Sequence, residues 1–183
     1  LWSLRRRVVI RAILLAWEAG QWSRRAIKRG FDLVVGGLAC VFALPIMALT
    51  ALAIKLDSPG PVLFIQTRVG RWGEPFRLYK FRSMYVDAEA RKAELEARNE
   101  ASGPVFKIRN DPRITRVGRI IRKLSVDELP QLFNVLQGNM SLVGPRPPLP
   151  SEVATYTLEQ RRRLDTKPGI TCIWQVSGRS NVD

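Results

Sequence analysis

The 183-residue chain contains no histidine. That absence removes the commonest general base, the Ser-His and Cys-His nucleophile pairs, and most zinc sites. Acid, base and metal work must then fall mainly to carboxylates, and a metal held that way is a hard one such as magnesium. Cysteine is nearly missing too, with Cys40 and Cys172 alone. Two cysteines make no disulfide framework and point to a reducing compartment. Cys40 sits inside an apolar run, where a thiol behaves as a small buried hydrophobe. The chain also lacks a G-x-x-x-x-G-K-[ST] phosphate loop, a G-x-G-x-x-G fingerprint after a strand, a C-x-x-C pair and a G-x-S-x-G elbow. A nucleotide, if bound, is held in some other way. No internal repeat or low-complexity tract occurs.

Acidic charge is scarce: 16 Asp and Glu stand against 30 Lys and Arg, for a formal charge of +14. Of the basic residues 23 are arginine. Such a chain seeks nucleic acid, anionic lipid or a phosphorylated substrate. Arginine suits all three, because its planar fork grips phosphate oxygens in pairs. The length allows one domain with a small appendage and a real core.

What distinguishes these partners is a long hydrophobic run. Leu33 to Ile54 holds 22 residues without a charge. About 20 such residues match the hydrocarbon core of a bilayer. The run is too long for a signal peptide and lacks a cleavage pattern. Arg24, Arg25, Lys28 and Arg29 precede it, which places its start on the cytoplasmic side. Lys55, Arg68 and Arg71 follow it, so the flanks alone give no clear orientation. Pro45, near the middle, removes a backbone hydrogen bond and bends a helix. A bent helix that enters and leaves by one face explains both facts, and a kinked spanning helix explains them equally well. Upstream, Arg5, Arg6, Arg7 and Arg11 mix with Trp2, Trp17 and Trp22, a headgroup-level composition. Residues 1–27 read as an interfacial helix or the tail of a preceding span.

Downstream, residues 62–69 and 75–81 read as two short strands joined by GRWGE. Residues 87–100 read as a solvated, charge-paired helix. Residues 115–124 put Val117, Ile120, Ile121 and Leu124 on one face with basic residues around them. That helix fits a membrane surface or a packed helix with a solvated basic face. A further helix is expected at about 127–137, then a loop over 138–150. Ser151 is expected to cap a helix running to Leu164. The chain after Pro168 reads as irregular.

The chemistry centres on SVDELPQLFNVL, residues 125–136. Ser125 and Glu128 fit a capping box, and Pro130 shifts the start toward Asp127 as cap. A cap explains Asp127 and Glu128 without any function. The functional reading uses the same geometry. A carboxylate at a helix start stays ionised, aspartate can attack phosphorus, and a neighbouring glutamate can hold magnesium. Candidate phosphate binders surround the pair in sequence: Lys80 and Arg82, Arg109 and Arg113, Arg122, Arg146 in GPRPPLP, and Gln175 and Arg179. A single arginine is usually a solvated charge. The group carries the reading.

KRGFD (28–32), the proline-split apolar run, DSPGPVLFIQTRVG (57–70), KFRSM (80–84), residues 111–147 and PGITCIWQVSGR (168–179) resemble the bacterial sugar transferases. These are monotopic phosphoglycosyl transferases, also called polyprenyl-phosphate sugar-1-phosphate transferases. The resemblance covers about residues 28–181. It implies an α+β, mainly α fold: a re-entrant membrane helix over 28–56, breaking at Pro45, and a catalytic domain over 57–183. That domain would lie on the cytoplasmic face of the bacterial inner membrane, with interfacial amphipathic helices and a small β-hairpin. By the same resemblance Asp127 attacks the sugar-linked phosphate of a UDP-sugar, releases UMP and holds a phospho-sugar covalently. Undecaprenyl phosphate then takes it, a first membrane step of exopolysaccharide or O-antigen synthesis.

Glu128 would be the acid associated with Mg2+. Lys80, Arg122, Pro145, Arg146 and Arg179 fall on positions linked to the active site and nucleotide. Membrane lipid is an implied partner, a homodimer is allowed, and nucleic acid is not implied. Two departures stand out: Cys172 where glycine is usual, and Leu44 where the small members have serine before the proline. The domain normally continues beyond Asp183, and the arginine-rich start suggests a larger member. Against this stand two other classes. A nucleic-acid module would explain the charge but not the apolar run. A membrane adaptor would leave Asp127 and Glu128 as caps.

Overall fold

In a computed structural model, residues 2–91, 108 and 111–172 are described, with side chains from residue 22 onward. The first element, α1, is a 56-residue helix, Trp2–Asp57. It takes in both the arginine-rich start and the apolar run, so the chain has no backbone break near residue 28. Its stretch from Trp22 is long and apolar enough to cross a membrane. One stripe of it is buried: Asp32, Gly36, Cys40, Ala43, Met47, Thr50 and Ile54, with Ser58 just beyond. The spacing of three or four residues is that of one helix face. Phe31, Val34, Leu38, Val41, Phe42, Leu49, Leu52 and Leu56 are exposed on the remaining faces.

A break at Pro45 was the expectation from the sequence, and the helix instead runs on through it. The buried stripe explains why. Cys40 and Ala43 before the proline, and Met47 and Ile54 after it, share one core with Phe81, Ile121 and Leu132. Burying Met47 and Ile54 contributes roughly 1.5–3 kcal/mol each. Together that matches the cost of an interior proline, about 3 kcal/mol.

Ser58 to Pro61 turn the chain into a hairpin, as expected. Strands β1 (Leu63–Val69) and β2 (Pro75–Phe81) pair antiparallel, Leu63 opposite Phe81 and Val69 opposite Pro75. The tip holds Trp72 in the left-handed region at φ 60°. Helix α2 (Arg116–Lys123) follows, capped by Thr115, whose hydroxyl accepts from the Gly118 amide. Its inner face buries Gly118 and Ile121, while Ile120 and Leu124 are exposed beside the basic residues. Gly118 is required here, because a Cβ would run into the Ser83 carbonyl. Helix α3 (Gln131–Gln137) packs along α1. Its Leu132 joins the α1 core, and its Val135 joins a second cluster with Leu78 and Met140.

Two regions differ from expectation. Residues 138–150 and the start of the segment after Pro168 are not wholly irregular. They supply β3 (Ser141–Val143) and β4 (Gly169–Thr171), which pair in parallel. Three-residue strands are too short to show a period of two. The single helix expected from Ser151 to Leu164 is two short ones, α4 (Pro150–Ala154) and α5 (Leu158–Arg161), with a 3-10 turn over Arg162–Asp165. Thr157 interrupts it: its hydroxyl accepts from the Gln160 amide and starts a new helix. Thr-Tyr-Thr is a weak helix sequence, and threonine is a strong cap. The charge-paired helix expected over 87–100 lies largely outside the described residues.

Candidate active site

Asp127 and Glu128 lie in a one-turn 3-10 helix, Val126–Glu128, between α2 and α3. Neither expected cap forms. Ser125 takes a left-handed backbone, φ 58°, and makes no side-chain cap bond. It closes α2, in the place where a helix end commonly turns left-handed. A capping serine needs extended backbone, so the two jobs exclude each other. Helix α3 then starts only at Gln131, after Pro130, and Asp127 is not its cap.

What surrounds Asp127 is instead a shared ammonium. The Lys80 amine, on β2, donates to Glu128 Oε1 at 2.9 Å and stands 3.7 Å from Asp127 Oδ2. Asp127 is buried, whereas Lys80 and Glu128 are half-buried. Burial pushes the Asp127 carboxyl above the ordinary carboxylate range; Lys80 and Arg122 pull it back, and Glu128 adds to the rise. The sequence led us to expect an acid kept ionised by a helix start. Burial adds an opposing influence that a helix start does not, and Lys80 supplies the charge that favours the ionised form.

The other expected residues divide. Lys80 joins the acids directly. Arg122, exposed on the last turn of α2, acts on the Asp127 carboxyl through its charge. Arg82 does not join them. Its guanidinium is buried and donates to the Ser58 and Pro59 carbonyls, so it fastens the exit of α1 to β2. Asp57 helps there by accepting from the Val117 amide. Arg113 is likewise buried, on Asp111. The Pro145–Arg146 loop packs at the opposite end of the hairpin, where the Val69 amide donates to Pro148. Lys80 and Pro75 are five positions apart on β2, and Pro75 faces Val69. Arg146 pairs with Glu152 at 3.8 Å, beside a cleft of about 310 Å3 that Tyr156, Gln160 and Arg163 also line. Gln175, Arg179 and Arg109 lie outside the described residues.

Two functional features escaped the sequence reading. Asn134, fully buried, holds α3 against the open edge of β2. Its amide donates to the Arg77 carbonyl at 2.7 Å, and its oxygen accepts from the Tyr79 amide at 3.1 Å. The signal was present as polar residues on the inner side of QLFNVL, Asn134 among them with Gln131. At the far end of α3, Arg29 donates to the Val135 and Leu136 carbonyls at 2.6 and 2.8 Å. Lys28 bonds Asp32 and Ser141, and Asp32 accepts from the Leu142 amide. The basic residues read as topology signals thus also tie α1 to α3 and β3.

Magnesium is usually held by one or two carboxylates together with substrate phosphate oxygens. Glu128, half-buried beside the buried Asp127 and with one oxygen beyond the Lys80 bond, fits that open kind of site. Among the described residues no group of three His, Cys, Asp or Glu converges into a closed one.

The sequence model of the bacterial sugar transferase family matches residues 23–183. Galactosyl transferase CpsE of Streptococcus agalactiae is 51% identical over 82% of this chain and 32% of its own length. The undecaprenyl-phosphate glucose phosphotransferase of Komagataeibacter xylinus is 49% identical over 82% of this chain and 28% of its own. The UDP-N-acetylgalactosamine-undecaprenyl-phosphate N-acetylgalactosaminephosphotransferase of Aeromonas hydrophila is 50% identical over 66% and 26%. The chain therefore spans a third or less of the length of these relatives.

Proposed function

The chain belongs to the bacterial sugar transferase family, and from that membership we propose that it carries the catalytic part of a phosphoglycosyl transferase. The reaction moves a sugar 1-phosphate from a UDP-sugar to undecaprenyl phosphate. The relatives' names support both substrates, since two of them act on undecaprenyl phosphate and one of those on a UDP-sugar. Those names span different sugars, so no one sugar is assigned. The observation that carries the reading is the buried Asp127, held beside Glu128 by the single ammonium of Lys80.

The chemistry is two displacements at one phosphorus. In the first, an Asp127 carboxylate oxygen bonds to the sugar-bearing phosphorus, the bond to the bridging oxygen breaks, and UMP leaves with that electron pair. In the second, an oxygen of undecaprenyl phosphate bonds to the same phosphorus and the acyl phosphate bond to Asp127 breaks. Asp127 returns as a carboxylate. Lys80 and Arg122 place positive charge where phosphate oxygens gather negative charge in the transition state. Partial desolvation leaves the Asp127 oxygen less tightly hydrated than a surface carboxylate, which favours attack. Glu128 would hold a magnesium ion, whose charge when bound neutralises the phosphate oxygens.

Helix α1 supports a monotopic arrangement on the cytoplasmic face of the inner membrane. Its buried stripe meets the rest of the chain from Asp32 to Ser58. A full crossing would draw the strands and helices packed on that stripe, with their outward charged and backbone polar groups, into hydrocarbon, at several kcal/mol per unpaired group. Entry from one face by the exposed apolar sides avoids this cost, and the basic residues before the run favour the cytoplasmic side.

The direct test is UMP release from a panel of UDP-sugars, with the full chain in membranes containing undecaprenyl phosphate and magnesium. Asp127→Asn is expected to abolish release. Retained turnover in that variant would remove Asp127 from the reaction.

A further inference from the structure

Among the described residues, strand β2 pairs with a strand on one edge alone, β1, so the backbone groups of its other edge find no strand partner there. Asn134 fills that edge. Its carboxamide offers one donor and one acceptor side by side, the same pair a neighbouring strand would offer. It takes the Arg77 carbonyl and the Tyr79 amide, the residues flanking Leu78. Tyr79 is the residue before Lys80. Asn134 itself sits one helical turn into α3, whose preceding turn carries Asp127 and Glu128. The backbone carbonyl of Asn134 also accepts from Met140, which ties the end of α3 back onto the same residue.

Apolar packing alone would not fix this spacing. Leu78, Val135 and Met140 form the local core, and apolar contact is non-directional. Two hydrogen bonds to successive backbone groups are directional, and breaking them would leave buried polar atoms unsatisfied. They fix where α3 stands along β2, and so where the two acids stand relative to the Lys80 amine.

We propose that Asn134 is a positioning residue, which sets the Lys80-to-Asp127 and Lys80-to-Glu128 spacing by acting as a one-residue strand on the open edge of β2. The proposal rests on the reading of Asp127 and Glu128 as the reacting pair. An asparagine that acts through Lys80 must lose its effect on turnover once Lys80 is gone.

The experiment is a double-mutant cycle on kcat and KM for UMP release, with the full chain in nanodiscs. Asn134→Leu removes both bonds at similar volume, and Asn134→Ser is a milder second variant should the first fail to fold. Val135→Ala, on the same helix and also fully buried, controls for lost packing. Both Asn134 variants are expected to lower kcat about tenfold to a hundredfold with KM little changed. In a Lys80→Met background, Asn134→Ser should lower kcat no further, whereas Val135→Ala should have the same effect with and without Lys80. An Asn134→Ser loss that is equally large without Lys80 would overturn the proposal. So would a kcat of Asn134→Ser equal to that of the unaltered chain. Turnover surviving Asp127→Asn would sink the catalytic reading, while the coupling of Asn134 to Lys80 would still be read from the same cycle.

Discussion

Two buried aspartates, sixteen residues apart, meet their cations in opposite ways. Asp111 receives Arg113 in full: the guanidinium donates at 2.7 and 2.9 Å, and the Arg113 backbone amide adds a bond at 3.0 Å. Its carboxyl is held below the ordinary range, chiefly by those side-chain bonds. Asp127 has instead an ammonium 3.7 Å away that is already donating to Glu128. Its carboxyl is pushed above the ordinary range, chiefly by burial. The residue type and the small solvent exposure are alike; the completeness of the partner differs, and burial weighs more heavily on Asp127 than on Asp111. A satisfied buried acid is inert scaffolding. An acid left short of partners in a partly dry site keeps the capacity to bond something else, and here phosphorus is the proposed something.

The contrast can be broken most sharply at Asp127. Asp127→Asn should cost more than about 10³-fold in UMP release, as removal of a covalent nucleophile does. The same change should leave the thermal midpoint unchanged or higher, because it removes a poorly compensated buried charge. A variant that loses both activity and fold would mean that Asp127 is scaffolding after all. Stripping the satisfied partner should do the reverse. Arg113→Met leaves Asp111 buried without its guanidinium and is expected to cost about 3–5 kcal/mol of stability, measured by chemical denaturation.

Lys80→Met tests the incomplete partner. It should raise the acid limb of the pH-rate profile, since Lys80 lowers the Asp127 midpoint. An unmoved limb would detach the limb from Asp127. The smallest effect lies in the pH dependence of stability, and its signs differ. Asp111 has a lowered midpoint, so it stabilises the fold above the ordinary carboxylate range, and the contribution is lost as pH falls through its lowered value. Asp127 has a raised midpoint, so its burden on the fold appears as pH rises from the ordinary range through the raised value. Relative to wild type, Asp127→Asn should thus gain stability with rising pH over that window, read from thermal midpoints at a series of pH values.

Much of this architecture was legible in the residues. The apolar run, the hairpin at 62–81, and α2 with its Thr115 start follow from periodicity and turn chemistry over eight residues or more. The second sheet was not legible, because β3 and β4 are three residues each and find one another only across the chain. Pro45 misled for a related reason. Its local preference is a break, and a tertiary stripe from Asp32 to Ile54 overrides it. The arginines show the same limit. Arg82 and Arg122 look equivalent in sequence, yet one is buried under the exit of α1 and the other, exposed on α2, acts on Asp127 through its charge.

The sequence by itself determined the kind of chemistry open to this chain. Without histidine and with only two cysteines, it could work on phosphate through carboxylates and arginines, next to a membrane-sized apolar helix. It also fixed which adjacent acids could lie at the centre, since Asp127 and Glu128 stand at a helix-start signal. Tertiary structure alone decided what those acids are. The cap they seemed to form requires extended backbone at Ser125, and that residue instead closes α2 in a left-handed conformation. Lys80 comes to them from a strand 47 residues away in sequence, held there by an asparagine on the opposite element. Charge and desolvation depend on distances in space, and no local pattern encodes a distance between residues so far apart along the chain.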